Sequence, residues 1–247
     1  MTSFYLVLAL LIALALNHRR PQVRALGMGT AGLALCFMAG SIALAWTDGT
    51  FAAATGSTPV WLSIEALVLI AIAGAAFWAI PKQLRVAPAE APPLRGTKAA
   101  YGLTTRALHW ASAVLIFAAF TMGQFVTVLS PALPEHAMFL ATHLAIGGAI
   151  FLLTFGRMIE RLLRPSPPTP GRVKLAHTAG YALIIATCVS GLAMIDAPVD
   201  LYGLKLPNLP ADPLAETMHR DRLPLLFGLF ILAHLAGAFR AIGRMVR

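Results

Sequence analysis

Seven apolar stretches recur along this 247-residue chain, at roughly 2–17, 24–46, 60–80, 109–130, 138–156, 176–197 and 223–242. Most run close to the ~20 residues a helix needs to cross a hydrocarbon core of roughly 30 Å. In lipid a spanning segment must satisfy its own backbone N–H and C=O groups, so each stretch is expected to be a helix. The sequence therefore predicts an all-α integral membrane protein of seven spans. The first stretch is the shortest, at about 24 Å of helix, and needs its interface residues to complete a crossing.

That first stretch does not resemble a cleaved leader. A signal peptide carries its positive charges before the apolar run, whereas here MTSFYLVLALLIALALN is uncharged and HRRPQVR follows it. The net charge of +9 is distributed the same way. With seven helices and the N-terminus outside, sixteen of the nineteen Lys and Arg residues fall on one side, leaving Lys205, Arg220 and Arg222 on the other. This is the positive-inside bias. It predicts a multi-pass membrane protein with its N-terminus outside and its C-terminus in the cytoplasm. A nucleic-acid footprint is excluded, because interleaved aromatics and a soluble domain to carry them are missing. The outer side is mildly acidic through Asp48, Glu135, Asp196, Asp200, Asp212, Glu216 and Asp221.

Composition breaks at KQLRVAPAEAPPLRGTKAA (82–100), which reads as an extended cytoplasmic linker. Residues 1–81 then form a three-helix module, and residues 101–247 a four-helix bundle. The module is rich in small residues, as in GMGTAGLALCFMAGS, which let membrane helices approach closely. This predicts packing or docking of partner subunits. Glu65, near the outer end of the third stretch, is ionisable at membrane depth, the sole hint of a transporter. Cys36 and Cys188 read as small apolar core residues.

Six of the seven histidines lie in the second half: His109, His136, His143, His177, His219 and His234. His143 and His219 fall near the outer side, and His109 and His234 toward the inner side. An imidazole inside a bilayer needs a partner, and neutral imidazole is a common axial ligand of haem iron. Two histidines at matching depth can clamp a haem from both faces, which pairs His109 with His234 and His143 with His219. The fifteen residues from His219 to His234 span ~22 Å of helix and leave the two rings about 60° apart around its axis. A histidine quartet also suits copper, although such ligands gather in one place and these are split by depth. CxxCH, HExxH and Cys-rich zinc spacings are all absent.

Four stretches carry a resemblance: TTRALHW, THLAIGGAIFLLTFGRMIERL, LAHTAGYALIIATCVSGLAM and MHRDRLPLLFGLFILAH. Residues from about 100 to 240 resemble the bacterial cytochrome b561 family, four-helix dihaem membrane cytochromes. The resemblance implies two haems b, with axial ligation carried over to His109, His143, His219 and His234. It also implies electron exchange with ubiquinone and, in one branch, oxidation of superoxide to oxygen. The chain departs from the family at four places. Fifteen residues, with Pro224 among them, separate the fourth-helix histidines where the family usually has fourteen. Arg220 stands in place of an acidic residue, Cys188 in place of a proline, and a further histidine after the inner ligand is missing. A helix start or kink is expected near Arg222–Pro224, and a short helix before it capped by Asp212 with Pro213 in its first turn.

Within that frame Arg106, Arg157 and Arg220 are candidates for haem propionates, since guanidinium and carboxylate match in fork geometry. Trp110 reads as an interface anchor. His177 is a candidate to bond a quinone carbonyl or relay a proton. The expected function is electron transfer between a periplasmic donor, either superoxide or a redox protein, and the quinone pool. The alternative is a membrane anchor and electron-transfer subunit of a larger respiratory or photosynthetic complex.

Overall fold

A computed structural model of the chain describes residues 2–47, 59–86, 93–195, 198–201, 203–206, 210 and 212–238. The helices are α1 (Thr2–Leu16), α2 (Pro21–Thr47), α3 (Pro59–Leu84), α4 (Leu103–Val128), α5 (Pro134–Leu163), α6 (Gly171–Leu192), α7 (Pro213–Thr217) and α8 (Leu223–Ala238). A hairpin of β1 (Val199–Leu201) and β2 (Leu204–Leu206) follows α6. The seven apolar stretches thus correspond to α1–α6 and α8. Among the described residues five helices, α2 to α6, contain segments long and apolar enough to cross a membrane, and α1 is a shorter apolar helix. The end of the seventh stretch, Asp48, Asp196 and the basic tail lie outside the described residues, as does the side chain of Glu65.

Several helices outrun their apolar stretches. His109 is the seventh residue of α4 and His143 the tenth of α5, so both sit well inside regular helix. α3 continues through Pro81 to Leu84, with Lys82 Nζ 3.3 Å from the centroid of the Trp78 ring.

The described residues form two compact units. One comprises α1–α3, α4 from Arg106, and α5 as far as Ile146. In this unit α2 packs between α1 and α3. Glycine makes the approach possible: a Cβ on Gly27 would lie 2.8 Å from that of Ala15, and one on Gly32 would lie 2.8 Å from the Phe77 ring. Ile12, Ile42, Leu69 and Ala73 are buried, while Leu33, Phe37, Leu44 and Trp78 remain exposed. An exposed face that stays apolar suits helices whose solvent is lipid. The buried Arg24 guanidinium fastens the α1–α2 turn, donating from Nη1 to the carbonyls of His18 (2.8 Å) and Arg19 (3.0 Å).

The second unit comprises residues 93–105 and the described residues from 147 to 238, in which α6 packs against α7, α8 and the turn that joins them. Residues 93–100 of the linker form a turn. Thr97 closes a turn, its Oγ1 accepting from the N–H groups of Ala99 (3.2 Å) and Ala100 (3.1 Å). Thr104 Oγ1 then donates to the Leu94 carbonyl at 2.8 Å, pinning the turn to the start of α4. Thr105 Oγ1 and Arg164 Nε both reach the buried Glu160 carboxylate, at 3.3 and 3.4 Å.

The hairpin after α6 was not legible in the sequence. Its turn needs Gly203 at φ 86°, the left-handed region open to glycine. Asp200 Oδ1 accepts from the Gly203 N–H at 2.7 Å. α7 starts as expected: Asp212 is the N-cap, its side chain accepting from Leu214 N at 2.9 Å, with Pro213 in the first turn.

The expected break near Pro224 takes a specific form. Residues Met218–Arg222 make a π-helical turn, in which the Leu223 N–H donates to the Met218 carbonyl five residues back. Proline explains it. Pro224 has no N–H for the Arg220 carbonyl, and its ring would collide with that carbonyl in a regular helix. Widening the preceding turn moves the carbonyl aside. A π turn holds about one residue more than an α turn. The fifteen residues from His219 to His234 therefore wind about as far as fourteen in pure α-helix, bringing the two positions from about 60° to about 40° apart around the axis. The π turn ends at Arg222 and α8 starts at Leu223, inside the Arg222–Pro224 stretch where the sequence places a helix start or kink.

Candidate functional site

His143 projects from α5 toward α4, where its Nδ1 lies 2.8 Å from the carbonyl oxygen of Ala119. A carbonyl only accepts, so Nδ1 carries the hydrogen and donates it. In the neutral ring this places the lone pair on Nε2. His219, in the π turn before α8, repeats the arrangement against α6. Its Nδ1 lies 2.8 Å from the Thr187 carbonyl and 3.2 Å from Ser190 Oγ. Burial lowers the pKa of the His219 imidazole from its ordinary value; the bond to the Thr187 carbonyl opposes this, and the charge of Arg220 adds to it. The neutral ring, the form that coordinates a metal, is therefore favoured.

A donor nitrogen held by a backbone carbonyl, with the lone pair on the other nitrogen, is the usual way a metal-bound histidine is oriented. The donor chemistry of both residues fits axial ligation of haem iron. Each ring also rests on glycine. A Cβ on Gly123 would approach His143 Cε1 to 3.1 Å, and one on Gly191 would approach His219 Cε1 to 2.7 Å.

His109 and His234 stand in other settings. His109 on α4 meets Trp110 edge-on, with ring centroids 5.3 Å apart. His234 on α8 stacks with Phe230 at 5.9 Å and 19° between planes, and Phe230 in turn fills the space over Gly180. Arg157 near the end of α5 lies over the Tyr181 ring at 5.4 Å. The charge of Arg157 also acts on His234 and His177, and that of Arg161 on His177. The second unit thus gathers Arg157, Arg161, His177 and His234. The Nδ1 of His177 is buried with no hydrogen-bond partner among the described residues.

Arg106 on α4 is 2% exposed and lies within electrostatic range of the equally buried Arg24. Arg220 pairs with Glu216 one turn back at 3.2 Å, both side chains about half exposed. Among the described residues, no three His, Cys, Asp or Glu side chains gather into one metal-holding group. A two-histidine clamp requires no such group.

Sequence reasoning missed Gly123, Gly191, Ser190 and the two accepting carbonyls. The one trace of them is a shared spacing: each glycine stands four residues after the residue whose carbonyl accepts.

A model of the prokaryotic cytochrome b561 family matches residues 100–245. Cytochrome b561 homolog 2 of Escherichia coli (strain K12) is 28% identical over 131 residues, covering 47% of this chain and 68% of that protein. No solved structure matches. The family match spans α4 to α8 and contains His109, His143, His177, His219 and His234, and so the chain belongs to the prokaryotic cytochrome b561 family: a multi-pass membrane cytochrome of b type, binding haem b and acting in electron transfer.

Proposed function

We propose that residues 101–247 bind two haems b, one between His143 and His219 and the other between His109 and His234, and that the chain passes electrons from a periplasmic donor to ubiquinone. The observation that carries this reading is the repeated geometry at His143 and His219, each with Nδ1 at 2.8 Å from a helix carbonyl. Two imidazoles, each oriented by the same bond to a backbone carbonyl, have the donor chemistry that would hold a haem iron.

Haem b, when bound, takes up and releases single electrons. The chain supplies the rest. His109, His143, His219 and His234 hold the irons and set ligand strength. Arg106 and Arg157 neutralise propionates; a buried guanidinium such as Arg106 suits a buried carboxylate. Arg220 serves the outer haem by exchanging Glu216 for a propionate. His177, with its buried Nδ1 near Arg157 and Arg161, bonds a quinone carbonyl or relays a proton to it.

For superoxide as donor the balance is simple. Two superoxide anions release two electrons and leave as oxygen, while one ubiquinone takes those electrons with two protons to become quinol. Lys205, Arg220 and Arg222 would steer the anion, whereas the acidic outer balance suits a cationic redox protein. The protein sits in the bacterial inner membrane, N-terminus periplasmic and C-terminus cytoplasmic, with residues 82–100 linking the three-helix module to the bundle.

A pyridine haemochrome assay with reduced-minus-oxidised spectra tests the reading. Two haems b per chain are expected; none, after adequate haem supply during expression, would refute it. Rapid reduction by superoxide selects superoxide as the donor.

A second reading makes the chain an anchor and electron-transfer subunit of a larger redox complex. It is favoured by the family match beginning only at residue 100, which leaves α1–α3 as extra helices for partner docking. Stoichiometric partner chains co-purifying with it would support this.

A further inference from the structure

A carbonyl inside an α-helix already accepts from the N–H four residues on. A second donor must reach it from the side, and there the Cβ of that fourth residue stands in the way. At the two carbonyls that accept from His143 and His219 the fourth residue is glycine. Ala119 is followed by Gly123, and Thr187 by Gly191, on two different helices. The imidazoles lie where the missing Cβ atoms would be: a Cβ on Gly123 would come within 3.1 Å of Cε1 and 3.3 Å of Nδ1 of His143. A Cβ on Gly191 would come within 2.7 Å of Cε1 and 3.1 Å of Nδ1 of His219. At 2.7 Å the His219 ring must move, and at 3.1 Å the His143 ring must give slightly.

We infer that Gly123 and Gly191 are positioning residues: each opens a helix carbonyl to the Nδ1–H of a histidine and so sets that imidazole's tautomer, orientation and strength as a ligand. The inference rests on His143 and His219 being iron ligands. Ser190 contributes on one side only, through Oγ at 3.2 Å from His219 Nδ1. An Nδ1–H bonded to a carbonyl makes the imidazole a stronger donor, which favours ferric iron and holds the potential down. Loss of that bond should therefore raise the potential of the haem concerned.

A structural role for these glycines predicts the opposite pattern. Alanine is the better helix former, so substitution at a site with space would leave the cofactor untouched and the fold as stable or more so. The test is a redox titration of the full-length haem-loaded protein, followed by its α-band and by electron paramagnetic resonance, for Gly191→Ala, Gly123→Ala and Ser190→Ala. The expected result is two haems per chain, with one moved to higher midpoint potential and shifted in its ferric resonance. The shift should be largest in Gly191→Ala and smaller in Gly123→Ala. Ser190→Ala introduces no Cβ pressure and removes only the Oγ contact to His219 Nδ1; a small rise in potential is expected. Should Gly191→Ala fail to accumulate, Gly123→Ala decides the matter. Wild-type potentials and resonances in Gly123→Ala and in any folded Gly191→Ala would overturn the inference. Retention of both haems in His143→Ala and His219→Ala would instead remove the ligation reading beneath it.

Discussion

The Nδ1 of His219 lies 2.8 Å from the carbonyl oxygen of Thr187, a main-chain atom on another helix. That distance commits Nδ1 to donate and leaves the ring's lone pair on Nε2. It links a backbone position in α6 to the electronic state of a side chain outside it.

Replacing either His143 or His219 by alanine is expected to lower the pyridine haemochrome yield from two haems per chain to one. The remaining haem should keep its reduced-minus-oxidised spectrum. Loss of both haems, or of neither, would contradict separate clamps.

The π turn makes a prediction about chain length. Inserting one alanine between Arg222 and Leu223 rotates His219 relative to His234 by about 100°, and one haem should be lost. Deleting Asp221 returns the segment to the length of a plain α turn, and both haems should be retained. Equal haem content in the two variants would show that the turn does not set the register.

Asp212 caps α7 through Leu214 N. Asp212→Ala is expected to destabilise by about 1 kcal/mol, read as a lower Tm in detergent, while Asp212→Asn should stay close to wild type. The haem spectrum should be unchanged in both, since neither side chain contacts a histidine described above.

Gly32 stands where a Cβ would meet the Phe77 ring at 2.8 Å. Gly32→Leu should force α2 from α3 and destabilise by roughly 1–3 kcal/mol, visible in a thermal melt. Haem content per folded chain should be unchanged, because none of the four proposed ligand histidines lies on α2 or α3. A loss of haem would show that the N-terminal helices support the cofactor directly.

Much of this protein is written locally in its residues. Apolar runs near twenty residues long can only be helices in lipid, because no water is there to satisfy an open backbone. That reasoning anticipated α1–α6 and α8, and Asp212 with Pro213 announced the start of α7. His109, His143, His219 and His234 stood out because a polar ring at membrane depth demands a reason. Other features depended on atoms that residue identity does not mark. Every residue has a carbonyl, so nothing in the sequence singles out those of Ala119 and Thr187; only the packing of one helix on another selects them. The same holds for the π turn: Pro224 announced trouble with its own helix, but whether the chain would break, kink or widen depended on where the Arg220 carbonyl could go. Residue type settles what a segment must bury or satisfy, and three-dimensional packing settles which partner answers it.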